Sequence, residues 1–241
     1  MSKLAVAGAI AGVVVIFVGA NVAITSIQSL ATVGYWETQL GQPVPPDAIR
    51  LVALGDSSVE GIGASQAMDS YVGRISTYVG QKTGRPVHIA NVATGGPISD
   101  IVSNQLPRVD LKTADIVIVA DDNLNGMSLA QYRATLEAIA AAVPANRTVI
   151  SDLPGLPGEE RYQPVLTAVA DEHGMLRADV KAIFNGGGRR LDIFSWLPPH
   201  LNSKGYRYWF EAFKPQVDVI LRRLAVNGTT ATSVNRQEAV S

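Results

Sequence analysis

The chain has 241 residues, a formal net charge of −1 and no cysteine. Its length suits one α/β domain of roughly 200 residues with short extensions. The sequence has no cluster of basic residues, so no nucleic-acid partner is expected, and the lack of cysteine excludes disulfides, thiolate catalysis and cysteine-ligated zinc.

An uncharged, apolar run occupies residues 4–24 near the N-terminus. It has the length of roughly 20 residues that a helix needs to cross a bilayer. The only charged groups before the run are Lys3 and the terminal amine, and Glu37 is the first charged residue after it. This distribution favours a cytoplasmic N-terminus and an extracytoplasmic body. We therefore expect residues 1–25 to form a signal anchor, a single transmembrane helix in the cell membrane. The alternatives are secretion after cleavage of a signal peptide, and an inverted topology with the body in the cytoplasm.

Residues 26–48 are predicted to be a juxtamembrane segment followed by a proline-rich linker, Gly41–Pro46. The segment before the linker could continue the first helix outward or lie along the membrane surface. Tyr35 and Trp36 suit either an anchor at the membrane interface or packing against the following domain.

Apolar strands alternate with helical patterns through residues 49–225. Strands are predicted over 50–54, 87–93, 115–120, 147–153 and 176–180. A helix is predicted within 65–84, and further helices over 98–105, 129–143, 159–173 and 202–224. Continuous apolar strands separated by helices are typical of the α/β class, so we expect a three-layer αβα domain with a central, mostly parallel five-stranded sheet. The polar, aperiodic residues 226–241 predict a disordered tail.

Chemically useful groups follow the predicted strands. Ser57 comes directly after the first strand, Gly96 after the second and Asn123 after the third, while His200 precedes the last helix. Parallel strands place the loops at their carboxyl ends together, which is where sites form in such sheets. A hydroxyl, an imidazole and several N–H donors are the set that acyl transfer through a serine requires.

Four sequence blocks resemble the SGNH (GDSL) hydrolase family: Gly55-Asp56-Ser57, Asn91 to Gly96, Asn123, and the stretch from His200 to Tyr206. They occur in the family's order and span roughly residues 50–224. The resemblance implies an SGNH, flavodoxin-like fold with Ser57 as nucleophile and His200 as base. It also implies an oxyanion hole made by the N–H groups of Ser57 and Gly96 and the side chain of Asn123. No cofactor and no metal are expected.

Two positions depart from the family pattern. Asp121 stands where the family has a glycine, and its carboxylate could point away or bring negative charge to the oxyanion site. Leu197 stands where the family usually has the aspartate that orients the histidine, and the nearest upstream acid is Asp192. Three explanations are open: a backbone carbonyl orients His200, Asp192 reaches back to it, or the site is weakened.

These observations favour a serine esterase that acts on a lipid or acylated-glycan ester outside the cytoplasmic membrane, through a Ser57–His200 acyl-enzyme mechanism. An O-acyltransferase on the same fold is one alternative. A catalytically weakened, non-enzymatic envelope-binding protein is another, suggested by Asp121 and Leu197. The expected partners are a small-molecule, lipid or glycan ester and, through the first helix, the membrane.

Overall fold

The computed structural model describes residues 3–124, 126–182 and 191–238. Within them, five parallel strands form one sheet in the order β2-β1-β3-β4-β5, which confirms the predicted α/β fold. The strands are β1 (Ile49–Gly55), β2 (Val87–Asn91), β3 (Ile116–Ala120), β4 (Thr148–Ser151) and β5 (Leu176–Ala178). The helices are α1 (Lys3–Leu40), α2 (Ser57–Glu60), α3 (Tyr71–Thr83), α4 (Leu129–Ala142), α5 (Gln163–His173) and α6 (Ser203–Glu238).

Strand β1 is buried on both faces because successive side chains of a strand point to opposite sides. Leu51 and Ala53 pack into the core on the side of α3 and α6. Val52 and Leu54 pack into the second core, formed with α4 and α5. Burying one Leu or Val side chain contributes about 1.5–3 kcal/mol, so the two cores hold the strand that ends at Gly55 firmly in place.

Helix α3 and the helical segment that follows β2 occupy only part of the ranges in which helices are predicted. Helix α3 begins at Tyr71 because the Ser70 hydroxyl accepts a hydrogen bond from the Gly73 N–H at 3.2 Å and caps it. The helix predicted over 98–105 is a single π-helical turn, Ile101–Gln105. This turn places Gln105 inside the domain, where it becomes part of the site described below.

Helix α1 is continuous from Lys3 to Leu40, so no break separates the predicted transmembrane helix from the juxtamembrane segment. Its last turns pack on the domain. Trp36 is buried, and its indole N–H donates to the Glu60 carbonyl oxygen at 2.8 Å. Of the two roles expected for Trp36, the structure shows packing. Within the described side chains, Val14–Leu40 is a stretch long and apolar enough to cross a membrane, judged by length and composition.

Helix α6 begins at Ser203 and ends at Glu238. It therefore continues through most of the segment predicted as a disordered tail, residues 226–241, as far as Glu238. Extending a formed helix adds one hydrogen bond for each residue fixed, so a polar sequence can continue a helix that tertiary packing has already nucleated. Residues 239–241 lie outside the described part of the chain.

Candidate active site

A glycine is required at the turn that follows β1. Gly55 has a φ of +149°, and a Cβ at this position would lie 1.8 Å from the Ala120 carbonyl oxygen. The buried Gln105 side chain clamps the same residue. Its amide oxygen accepts from the Gly55 N–H at 2.8 Å, and its amide N–H donates to the Gly55 carbonyl at 2.7 Å. The Gly55 peptide groups, two residues before Ser57, are therefore held through both the N–H and the carbonyl.

Asp56 ties two loops of the site together. Its Oδ1 accepts from the backbone N–H of Ser58 at 2.8 Å and from the Ser58 hydroxyl at 2.7 Å, which caps α2. Its Oδ2 accepts from the Asp122 N–H at 3.0 Å. One buried carboxylate therefore sets the loop that carries Ser57 against the loop that follows β3.

Ser57 and His200 meet although 143 positions separate them in the chain. The Ser57 Oγ lies 3.0 Å from His200 Nε2, and His200 Nδ1 lies 2.7 Å from the Leu197 carbonyl oxygen. A carbonyl oxygen only accepts hydrogen bonds, so in the neutral imidazole Nδ1 carries the proton. Nε2 is then the free acceptor for the serine hydroxyl, which is the arrangement that a general base needs.

Asp192 does not orient His200 in this structure. Its exposed carboxylate forms an ion pair with the Lys204 ammonium, in the first turn of α6, while Leu197 contacts Nδ1. The loop that carries His200 is closed by an antiparallel bridge between Phe194 and Leu201. This closure holds the Leu197 carbonyl oxygen at Nδ1 of the imidazole, so the geometry fits the first of the three explanations, a backbone carbonyl, and not the second, Asp192.

Asn202 braces the same loop. Its amide N–H groups donate to the carbonyls of Asp192 and Phe194 at 2.9 and 3.0 Å. Its amide oxygen accepts from the N–H groups of Lys204 and Gly205 at 2.9 and 3.1 Å, so it also caps α6. Both amide groups are used, and the loop and the helix become one rigid unit.

The expected oxyanion donors lie on loops that hydrogen bonds connect. The Ile98 N–H donates to the Asn123 carbonyl at 3.2 Å, and the Thr94 N–H donates to the Gly55 carbonyl at 3.1 Å. A Cβ at Gly96 would lie 2.0 Å from an Asp100 carboxylate oxygen, so a side chain there would require the Asp100 side chain to move.

The backbone of the described residues offers no competing acceptor to the three expected oxyanion donors. Among the described residues, the N–H groups of Ser57 and Gly96 donate to no backbone carbonyl, and the Asn123 side chain is exposed. They are therefore free to receive a substrate oxygen.

Three carboxyl groups near Ser57 have raised pKa values. Burial, and next the charge of Asp56, raise the pKa of Asp121 to about 9 and also raise that of Asp122. The same two causes raise the pKa of Glu60 to about 7. Asp121 is therefore uncharged at neutral pH. It therefore does not bring to the oxyanion site the negative charge that its position in the sequence suggested.

A small, mostly apolar cavity of about 90 Å³ opens beside the serine. Ser57, His200 and Asp122 contribute its polar groups. Its apolar wall consists of Pro154, Leu156, Phe194, Pro199, Leu201, Tyr206 and Trp209, with Asp56 and Ser58 completing the lining. Gly96 and Asn123 do not line it, so the cavity lies to one side of the expected oxyanion donors. It could accept an acyl group or another apolar part of an ester.

Sequence reasoning missed Gln105 and the bracing role of Asn202, and it offered a backbone carbonyl for His200 without identifying that of Leu197. Gln105 carried no local signal, because it acts on a residue 50 positions away. Asn202 could be recognised as a helix cap, but not as the brace of a loop that precedes it. The Leu197 carbonyl is a backbone group, present whatever the side chain, so no residue type marks it.

Solved structures with the same fold include several ester-cleaving proteins. The structure titled TesA has a TM-score of 0.57 at 20% identity and covers 71% of this chain and 99% of its own. The psychrotrophic esterase EstA from Pseudoalteromonas sp. has a TM-score of 0.55 at 14% identity and covers 72% and 99%. A two-domain esterase titled CEX, active on acetylated mannans, has a TM-score of 0.57 at 13% identity and covers 78% and 52%.

A search of curated proteins by sequence found no match. The sequence model of the GDSL-like lipase/acylhydrolase family, however, matches residues 53–208, which include Ser57, Gly96, Asn123 and His200. This match covers more than half of the chain and extends from β1 into α6. The chain therefore belongs to the GDSL-like lipase/acylhydrolase family and is a carboxylic ester hydrolase.

Proposed function

We propose that this hydrolase works with a catalytic dyad, Ser57 and His200, oriented by a backbone carbonyl instead of an acid. One observation carries the proposal. The Ser57 hydroxyl, the imidazole and the Leu197 carbonyl form an unbroken line of hydrogen bonds, with 3.0 Å between Oγ and Nε2 and 2.7 Å between Nδ1 and the carbonyl oxygen.

In the first half of the reaction, His200 Nε2 takes the hydroxyl proton while Ser57 Oγ bonds to the ester carbonyl carbon. The carbonyl oxygen becomes negatively charged and is stabilised by the N–H groups of Ser57 and Gly96 and the amide of Asn123. The imidazolium then protonates the alcohol oxygen as the C–O bond breaks. The acyl group remains on Ser57.

In the second half, water gives a proton to His200 Nε2 and attacks the acyl carbon. His200 returns this proton to Ser57 Oγ as the carboxylic acid leaves, so the enzyme is restored. If an acceptor hydroxyl replaces water, the same steps produce an acyl transfer. Throughout, the Leu197 carbonyl keeps the ring in one tautomer.

The carbonyl is expected to support the imidazolium less strongly than a carboxylate would. Hydrogen bonds to an ionised partner are about twice as strong as those between neutral groups. The dyad therefore has the correct orientation but a smaller electrostatic contribution, and we expect an active enzyme with a moderate turnover.

We place this enzyme at the cell membrane, anchored by α1 with its domain on the extracytoplasmic side. Lys3 before the apolar run and the absence of further charge up to Glu37 support this orientation. The apolar cavity wall supports an ester of a lipid or of an acylated glycan as the substrate. The structurally similar two-domain esterase is active on acetylated mannans, which supports a glycan ester as one of these two substrates.

The test uses the full-length protein, a fluorophosphonate probe that labels activated serines, and short p-nitrophenyl esters. Wild type should be labelled and should hydrolyse the esters. Ser57→Ala should lose both properties, while Ser103→Ala, an exposed serine outside the site, should retain both. Equal labelling and hydrolysis in Ser57→Ala would contradict the proposed nucleophile.

A further inference from the structure

Helix α1 buries polar side chains and exposes apolar ones, the opposite of what is found on a helix that faces water. Its buried positions include Thr25, Ser29 and Thr32. Its exposed positions include Ile24, Ile27 and Leu30, which are 53%, 66% and 74% exposed. Helices on the surface of soluble domains bury their apolar stripe and expose their polar one. A helix that does the opposite is suited to an apolar surrounding.

Two of these three buried hydroxyls, those of Thr25 and Ser29, form hydrogen bonds that suit such a surrounding, whereas Thr32 Oγ1 has no partner among the described residues. Thr25 Oγ1 donates to the Asn21 carbonyl and Ser29 Oγ donates to the Thr25 carbonyl, both at 2.8 Å. Ser29 Oγ also accepts from the Gly63 N–H at 3.1 Å, so it holds the helix against the domain. Small hydroxyl residues of this kind let helices approach a neighbour closely within membranes.

The apolar stripe continues onto the active-site loop. Trp196 packs edge-to-face on Phe17 of α1, with 5.7 Å between the ring centroids. Phe17 precedes Ile24 by seven residues, about 10 Å along the helix, and lies within the uncharged run of residues 4–24. Trp196 directly precedes Leu197, whose carbonyl orients the imidazole. The loop that aligns the base thus touches the segment expected to span the membrane.

The direction of α1 determines which edge of the domain lies close to the apolar N-terminal half of this helix. Phe17 and Ser29 lie beside loops at the site, at the carboxyl ends of the strands. Leu40 ends the helix and the linker then leads to Ile49, the first residue of β1. Helix α1 therefore runs from the site edge of the sheet to the opposite edge.

We propose that a lipid bilayer covers this surface, which consists of the stripe Ile24, Ile27 and Leu30 together with Phe194 and Trp196. The domain then sits directly on the leaflet at its side, and the cavity beside Ser57 opens at the lipid surface. The proposal rests on the membrane anchoring proposed above. The bilayer is preferred over a second copy of the chain because the stripe continues a run that is itself long enough to span it. Tryptophan is also enriched at the membrane interface.

The test measures tryptophan fluorescence of the full chain reconstituted in phosphatidylcholine vesicles whose acyl chains carry bromine near the headgroup. Bromine quenches only a tryptophan that reaches the lipid. Trp196 is 43% exposed, whereas Trp36 and Trp209 are 2% and 5% exposed. Because one of the three tryptophans is expected to reach the lipid, the wild-type emission should fall by up to about one third relative to vesicles without bromine, and this quenching should be largely lost in Trp196→Phe.

A matched control places a tryptophan at the other edge of the sheet. Lys82 is exposed in the last turn of α3 and lines a surface groove with Ile49. In the double variant Trp196→Phe with Lys82→Trp, the new tryptophan should not be quenched. The proposal would be overturned if wild type and Trp196→Phe were quenched equally. It would also be overturned if the double variant with Lys82→Trp were quenched as strongly as wild type. So would unquenched emission together with light scattering that shows a dimer.

Hydrolysis of a soluble p-nitrophenyl ester is measured in the same samples. Activity without quenching of Trp196 would reject the lipid-covered surface and leave the dyad standing. Quenching without activity would reject the dyad and leave the surface standing. The two proposals can therefore fail separately.

Discussion

His200 is oriented by Leu197, whose carbonyl oxygen lies 2.7 Å from the imidazole Nδ1. The Leu197 carbonyl also accepts from the His200 backbone N–H at 3.0 Å, so one oxygen holds both the ring and the chain of the same residue. A carbonyl cannot take up a proton. The tautomer of the base is therefore fixed without any second titrating group.

Asp192→Asn should leave the kcat/KM for p-nitrophenyl esters within about twofold of wild type, because the carboxylate pairs with Lys204 and an exposed pair contributes little. Steady-state kinetics check this expectation, with Lys204→Met as the matched variant on the other side of the pair. If Asp192 oriented the imidazole, its loss would lower kcat by up to about 10⁴-fold. A decrease of that size would show that the acid moves to His200 during the reaction.

Gly55→Ala should prevent stable folding, since the added Cβ would lie 1.8 Å from the Ala120 carbonyl oxygen and 2.5 Å from a Val59 methyl. We expect the free energy of unfolding to fall by more than about 4 kcal/mol, measured by urea denaturation. Gly84→Ala is the control. Gly84 also has positive φ, +66°, but nothing lies within 4 Å of its Cβ position, so only about 1 kcal/mol of backbone strain is expected. Similar losses in the two variants would reject the steric argument.

Gln105→Leu should destabilise the domain by about 1–3 kcal/mol, because it leaves the buried Gly55 N–H without an acceptor, while the Gly55 carbonyl keeps the Thr94 N–H as a donor. Because Gln105 positions the turn before Ser57, we also expect kcat to fall more than KM changes. Gln105→Glu keeps an acceptor for the Gly55 N–H, so at a pH where the introduced carboxyl group is protonated this variant should recover part of both losses. A variant that is destabilised but has an unchanged kcat would limit Gln105 to a structural role.

Asp121→Asn should alter the pH dependence of stability. The pKa of Asp121 is raised from 3.8 to about 9, so the folded state keeps a proton that the unfolded state releases. Its contribution is complete below pH 3.8 and is lost as the pH rises through about 9. Asp121→Asn removes this loss.

The difference in free energy of unfolding between Asp121→Asn and wild type should therefore increase steadily from about pH 5 to about pH 9. Urea denaturation at several pH values provides the measurement, and the value at low pH serves as an internal reference for the amide itself. A difference that does not depend on pH would show that Asp121 is ionised in the folded protein.

The sheet and the places of Ser57 and His200 beside it could be predicted because their signals are local. The apolar run that ends at Gly55 identifies β1, and the side chains of Ser57 and His200 follow or precede recognisable elements. The contacts that complete the site are different, since they depend on how distant segments meet. Gln105 reaches Gly55 only because its turn is packed under β1, and the Leu197 oxygen reaches His200 only because the loop closes.

Asp121 shows the same limit for electrostatics. Its position in the sequence suggested an added negative charge, but its burial keeps it protonated at neutral pH. Burial is a property of the folded environment, so the charge of this side chain could not be read from its residue type. Helix α1 presents a similar case, because which of its faces meets the domain depends on Ser29 and Trp36 finding partners far along the chain.

The unbroken course of α1 into its docked end restricts where the hydrolase can work. A domain on a flexible tether explores a volume whose radius grows with the tether, and can collect substrates at many heights. With α1 anchored in the membrane as proposed above, this domain is held by a rigid helix at a constant height and tilt, free only to turn about the helix axis and to diffuse laterally with it. Substrates therefore have to diffuse to Ser57, and esters held at other distances from the membrane are not hydrolysed.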